Sequence, residues 1–150
     1  MGIAALNAFL RRHRLIALDT SVFIYQLQSH PRYVAFTDRV FSWLEQPTSR
    51  AVTSTITMTE LLVLPYRDRD ERRVDEFYGL LSTYPNLDWI APTLEVADAA
   101  AQIRATYGLR TPDALQAATA AEAKASGLIT NDPIFGRVTG FETITLDTLL

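Results

Sequence analysis

Apolar positions follow two rhythms along this chain. Short apolar-rich runs at Leu15 to Leu18, Ala51 to Ser54, Leu87 to Ala91 and Leu128 to Thr130, with the alternating stretch Phe141 to Leu146, predict five strands. Helical spacing fills the intervals. Ile3, Leu6 and Leu10 share one face of residues 3 to 13, and Thr20 and Ser21 offer caps for a helix through Val22 to Leu27. Pro31 opens a segment with a broad apolar face that runs to about Glu45, and Thr57 caps a helix that Pro65 ends. Val74, Phe77, Leu80 and Leu81 mark a further amphipathic helix. Gly108 closes Leu94 to Tyr107, and Thr111 caps a last helix with Pro112 at its first position, rich in helix formers as far as Gly127. Strands separated by helices form βαβ units, so the expected fold is α/β, three layers (α/β/α) around a central, mostly parallel five-stranded sheet. One domain over residues 1–150 is expected, with a helical extension at 1–13 ahead of the sheet.

Composition narrows the possibilities. The chain has 150 residues, 48% of them apolar, enough for one sizeable core. No aliphatic run approaches the roughly 20 residues a bilayer span needs. Arg11, Arg12, His13 and Arg14 follow a short mixed segment, the reverse of a signal peptide's order, so a cytoplasmic protein without a membrane partner is expected. There is no cysteine, so any metal must be held by oxygen or imidazole. A net charge of −3 suits nucleic acid poorly. That objection weakens if a divalent ion supplies the local positive charge.

Four acids carry the candidate chemistry. Asp19 follows an aliphatic strand, where a buried charge is costly unless compensated. Glu60, in TMTELL, sits three residues after Thr57 and reads alone as half of a capping box. Asp113, in RTPDALQAA, lies in a helix first turn, which the macrodipole favours. Asp132, in LITNDPIF, lies in a turn-forming Asn131–Asp132–Pro133 run. Singly, most have a structural explanation. Together they occupy strand ends and helix first turns, which in a parallel sheet open on one rim, where ligands bind.

Ionised carboxylates gathered there would repel one another unless a cation were bound, and oxygen-only donors suit Mg²⁺ or Mn²⁺. Such an ion activates water and polarises a phosphoryl oxygen, so metal-dependent phosphodiester hydrolysis is the predicted reaction. Asp19 and Asp113 are expected as the most direct ligands, Asp132 as completing the cluster directly or through water, and Glu60 as orienting the water. Thr20 and Asn131 would support them, and Arg110 would contact a substrate phosphate. A glycosidase lacks a sugar-binding aromatic platform here. A haloacid-dehalogenase-type phosphatase needs D-x-D, but Ser21 holds the second place, and Lys124, the only lysine, is not suitably placed. Another alternative is a silent module whose acidic pocket only holds a partner's basic tail. The mixed-charge run from Arg67 to Arg73 reads as a solvated helix start, His13 and His30 as surface residues without partners, and Trp43 and Trp89 as core.

At these residues the chain resembles the PIN-domain nucleases, and within them the VapC-type toxins of bacterial toxin–antitoxin pairs. LDTSVFIY is similar to that family's opening motif with its first aspartate at Asp19, and TITMTELL to the segment with its glutamate at Glu60. RTPDALQAATA matches at Asp113, and LITNDPIF at Thr130, Asn131 and Asp132. The resemblance implies a Mg²⁺- or Mn²⁺-dependent endoribonuclease toxin acting on RNA, a homodimer, and a cognate antitoxin whose tail blocks the acidic pocket. Two departures stand out: Gln116 takes the place of a histidine common in relatives, and some 14 residues precede the first strand.

Overall fold

The computed structural model describes residues 2–150. Its elements run α1 (Gly2–Arg12), β1 (Leu15–Leu18), α2 (Thr20–Leu27), α3 (Val34–Leu44), β2 (Arg50–Ser54), α4 (Ile56–Arg67) and α5 (Glu71–Ser82). They continue with β3 (Leu87–Ile90), α6 (Leu94–Tyr107), α7 (Thr111–Glu122), β4 (Gly127–Thr130) and β5 (Glu142–Thr145). Short 3₁₀ turns at Pro133–Arg137 and Leu146–Leu149 follow β4 and β5.

All four strand pairings are parallel, in the order β3-β2-β1-β4-β5. The α/β expectation holds, and the sheet is wholly parallel. Side chains alternate across it, as a two-residue period requires. Ile16, Leu18, Ala51 and Ile129 join one core with α1, α2 and α3, while Ala17, Val52 and Leu128 join a second with α6 and α7. Both faces are therefore covered, which explains why the strands read as apolar runs. From β1 the chain steps outward through β2 and β3, then crosses to β4 on the other side. The β1–β4 boundary is thus the switch point, whose crevice at the strands' carboxyl ends is where open sheets place ligands.

Helix starts differ from the local expectation at three threonines. Asp19, not Thr20 or Ser21, is the N-cap of α2; Thr55, not Thr57, caps α4; Arg110, not Thr111, caps α7. In each case the threonine hydroxyl has a partner on another helix: Glu60 for Thr20, Gln116 for Thr57 and Arg104 for Thr111. Tertiary bonds outcompete the local cap. Residues 31–33 form a turn, so α3 begins at Val34 rather than at Pro31. Pro65 does not end α4, because it removes one N–H only two residues before the last turn closes at Arg67. The last helix stops at Glu122, and Lys124 at φ 61° turns the chain towards β4. Gly108 at φ 75° closes α6 as expected.

His13 is not a loose surface residue. Its Nδ1 lies 2.7 Å from Ser126 Oγ and its Nε2 2.7 Å from Glu142 Oε1, while Arg12 donates to the same Glu142 oxygen at 2.8 Å. The ring packs on Phe9, with centroids 4.6 Å apart, and so ties the end of α1 to the starts of β4 and β5. His30 likewise has partners: it packs edge-on against Tyr25 and accepts the Arg32 N–H at 3.2 Å.

Candidate active site

Asp19 terminates β1 beside the switch point, and its N–H extends the β1–β4 ladder by donating to Ile129 O at 3.0 Å. This places the carboxylate against β4, with 9% of the residue exposed. Thr130 Oγ1 donates to Asp19 Oδ2 at 2.8 Å and Ser21 Oγ donates to the same oxygen at 3.2 Å. Burial nevertheless dominates those bonds and lifts the Asp19 carboxyl from its ordinary 3.8 to about 6, with a further push from Asp113.

Asp113 lies in the first turn of α7. Its carboxyl is raised chiefly by burial and next by the charge of Asp132; Arg110 opposes this and Glu60 adds to it. Glu60, on α4, accepts from Thr20 Oγ1 at 2.8 Å. That bond replaces the expected Thr57–Glu60 capping box. Asp132 follows β4 and accepts the Ile134 N–H at 3.0 Å, starting the Pro133–Arg137 turn. The four sequence-selected acids therefore belong to one electrostatic neighbourhood, reached from β1, α4, α7 and β4. Arg110 is a weak counter-ion, because its side chain is 83% exposed and stands 3.9 Å from Asp113.

Beneath the acids lies a buried polar layer that sequence patterns did not reveal. Gln116, 4% exposed, donates from Nε2 to Thr57 Oγ1 at 2.6 Å and accepts the Ser54 N–H at 3.3 Å. Thr53 donates to Leu18 O at 2.8 Å, so the 2.7 Å contact between Thr53 and Thr57 uses the Thr57 hydrogen. With that order, Thr20 is left to donate to Glu60. The run fastens β1, β2, α2, α4 and α7 together under the acids. Of its members, Thr20 and Gln116 stood out in sequence, Thr20 beside Asp19 and Gln116 in place of a histidine common in the resembled family. Asn131 also acts through geometry: its side chain donates to Tyr25 Oη at 3.0 Å and accepts the Asp147 N–H at 2.8 Å, while its own N–H donates to Ser21 Oγ at 3.1 Å.

The donor set fits a hard divalent cation, since the four acids offer carboxylate oxygens and both hydroxyl bonds to Asp19 fall on Oδ2. Among the described residues, no three Asp, Glu or His side chains stand close enough together to hold an ion unaided. Mg²⁺ usually takes only one or two carboxylates and keeps several waters, so an open arrangement suits it better than a closed cage.

On the far side of α4, an apolar groove of about 840 Å³ runs between α4, α5 and β3, lined by Met58, Leu62, Val63, Tyr66, Tyr78 and Trp89. Val63, Tyr66 and Tyr78 are exposed.

The PIN domain family model matches residues 16–140. The chain belongs to the PIN domain family. Three solved structures share the PIN fold with it. A toxin–antitoxin complex from Klebsiella pneumoniae is 21% identical, with a TM-score of 0.64 over 87% of this chain and 97% of that one. VapBC-1 from nontypeable Haemophilus influenzae is 23% identical, with a TM-score of 0.68 over 89% and 98%. VapBC2 from Rickettsia felis, bound to a DNA fragment from its promoter, is 16% identical, with a TM-score of 0.67 over 87% and 98%. No curated protein matches the sequence. The PIN match begins after α1, takes in β1 from Ile16 through β4, and stops just short of β5. No helix among the described residues is long and apolar enough to cross a membrane.

Proposed function

We propose that this PIN domain is a Mg²⁺- or Mn²⁺-dependent endoribonuclease, a VapC-like toxin held in check by an antitoxin chain. The observation that carries the reading is the coupling of Asp19, Asp113, Asp132 and Glu60 at the switch point, with no buried Lys or Arg among the described residues to neutralise them. Asp19, Asp113 and Asp132 would hold the ion, and Glu60 would stand beside them. When bound, it would polarise the phosphodiester and favour ionised water as the nucleophile.

The side chains have their own tasks. Thr130 and Ser21 both hold Asp19 Oδ2, which leaves Oδ1 without a side-chain donor. Thr20 orients Glu60, which is suited to accept a proton from attacking water. Arg110, exposed at the rim, is free to meet a substrate phosphate as a two-pronged donor. Ser21 in the second position of the Asp19 motif, bonded to Asp19 rather than offering a second acid, disfavours a haloacid-dehalogenase-type phosphatase.

The antitoxin partner is supported by the toxin–antitoxin complexes among the structural neighbours and by the exposed apolar groove beside α4. A basic side chain from such a partner would be drawn to the acids. A homodimer belongs to the same reading.

The deciding experiment incubates single-stranded and structured RNA with the protein and Mn²⁺ or Mg²⁺, comparing wild type with Asp19→Asn and Asp113→Asn. Cleavage should fall by more than about 100-fold in both variants, since even outer-shell changes cost about 10- to 100-fold. No cleavage of any RNA, together with tight binding of a small basic partner, would leave only the silent-module alternative. Activity confined to phosphomonoesters would favour the phosphatase.

A further inference from the structure

A second cavity, of about 340 Å³, opens at the amino ends of the strands, the end of the sheet opposite Asp19. Arg11 and Arg14 flank the end of α1, Arg39 and Trp43 come from α3, and Thr48 and Ser49 precede β2. No Asp or Glu lines it. In a chain of net charge −3 that is an uneven distribution of cations. Among the described residues none of these three guanidinium groups has a carboxylate partner. Arg39 directs only Nε inward to the chain, to Asn7 Oδ1, which leaves its two terminal nitrogens free.

Two buried residues that carry donors also line this space. Ser49 is 3% and Trp43 6% exposed. Neither the Ser49 hydroxyl nor the Trp43 indole N–H has a hydrogen-bond partner among the described residues, and both residues line the cavity. His13 forms part of the wall, but Ser126 and Glu142 engage both of its nitrogens. Three guanidinium forks, a hydroxyl and an indole N–H make a site rich in donors, and no carboxylate lines it to answer them. A tetrahedral dianion has lone pairs for all of them, whereas a carboxylate has only two oxygens. The volume lies at the small end of ligand pockets, which span roughly 300–1,000 Å³.

We propose that this cavity binds a phosphate dianion, free or as the monoester of a small molecule, clasped by Arg11, Arg14 and Arg39 with Ser49 and Trp43 donating to its oxygens. Arg11 and Arg14 precede the segment the PIN model matches, so the site is built with this chain's own extension. It is independent of the hydrolytic reading.

The test titrates the metal-free full chain with inorganic phosphate and with 5′-AMP in chloride buffer, by calorimetry and thermal shift. Saturable one-site binding is expected, with phosphate and AMP competing. Arg11→Gln with Arg14→Gln should weaken it by at least about tenfold while leaving the unliganded Tm unchanged, because both side chains are exposed and unpaired. Asp19→Asn should leave it intact. If only AMP binds, the ligand is an ester; if both bind alike, the phosphate suffices, and either result supports the site. Failure to saturate by about 10 mM, equal binding of succinate, retention by the double variant, or binding only of long RNA with a steep salt dependence would each overturn it.

Discussion

Thr130 donates its hydroxyl hydrogen to Asp19 Oδ2 at 2.8 Å and with the same oxygen accepts the Asp132 N–H at 3.0 Å. One hydroxyl at the end of β4 thereby sets the position of two acids of the cluster. Thr130→Val keeps the shape and removes both bonds. Mn²⁺ affinity, measured by calorimetry, should fall about 10- to 100-fold, with a smaller loss of stability. Unchanged affinity would show that Asp19 needs no such support.

The raised Asp19 carboxyl ties stability to pH. Its folded value, about 6, exceeds the ordinary 3.8, so between those values the folded state holds more of its proton than the unfolded state does. Stability from this group is therefore fully present below pH 3.8 and is lost as pH rises through about 6. The cost at pH 8 is on the order of 3 kcal/mol. Asp19→Asn removes the charge and can still accept from Thr130 and Ser21. In metal-free buffer the variant should melt several degrees above wild type at pH 8, with the gap closing towards pH 4. Mn²⁺ should raise the wild-type Tm far more than the variant's.

Gln116 reaches three elements from one buried position. Gln116→Ala would remove the donor to Thr57 Oγ1 and the acceptor of the Ser54 N–H and leave a void beneath Glu60. An unsatisfied buried group costs about 1–3 kcal/mol, so denaturant unfolding should show at least that loss. Gln116→His, which keeps a donor, should recover part of it; equal losses in both variants would mean that only volume matters there.

Gly127 opens β4 beneath α1. A Cβ there would stand 2.8 Å from Phe9 Cζ and 3.1 Å from the His13 ring, and both rings are held, Phe9 by burial and His13 by Ser126 and Glu142. Gly127→Ala should cost about 1–3 kcal/mol through overpacking, visible as a lower denaturant midpoint. Pairing it with Phe9→Leu should restore part of the loss. An unaltered midpoint would show that α1 moves freely on the sheet.

The Glu142 carboxyl is held below its usual range, first by the His13 hydrogen bond and then by Arg12. A lowered folded value stabilises above the unfolded value and loses that contribution as pH falls through the folded one. Glu142→Gln should therefore narrow the Tm difference between pH 7 and pH 3, modestly, because the side chain is half exposed.

Much of this protein was legible from residue order because the signals are local. Buried parallel strands must be apolar on both faces, so each strand fell within a residue or two of its apolar run, and the alternation with helices implied the sheet. Asp19, Glu60, Asp113 and Asp132 could be picked out because strand ends and first turns of such a sheet share a rim. What residue order alone misassigned were hydroxyls and rings with partners on other elements. Thr20, Thr57 and Thr111 read as caps, since a cap is what a threonine does with its own neighbours; in the folded chain Glu60, Gln116 and Arg104 compete for those hydroxyls and win. His13 looked unpartnered because its partners lie 113 and 129 residues away. Hydrophobic period and strand placement follow from short-range geometry and need only the sequence. The polar layer under the acids and the basic cavity behind the sheet depend on which segments meet, and only the packed tertiary structure decides that.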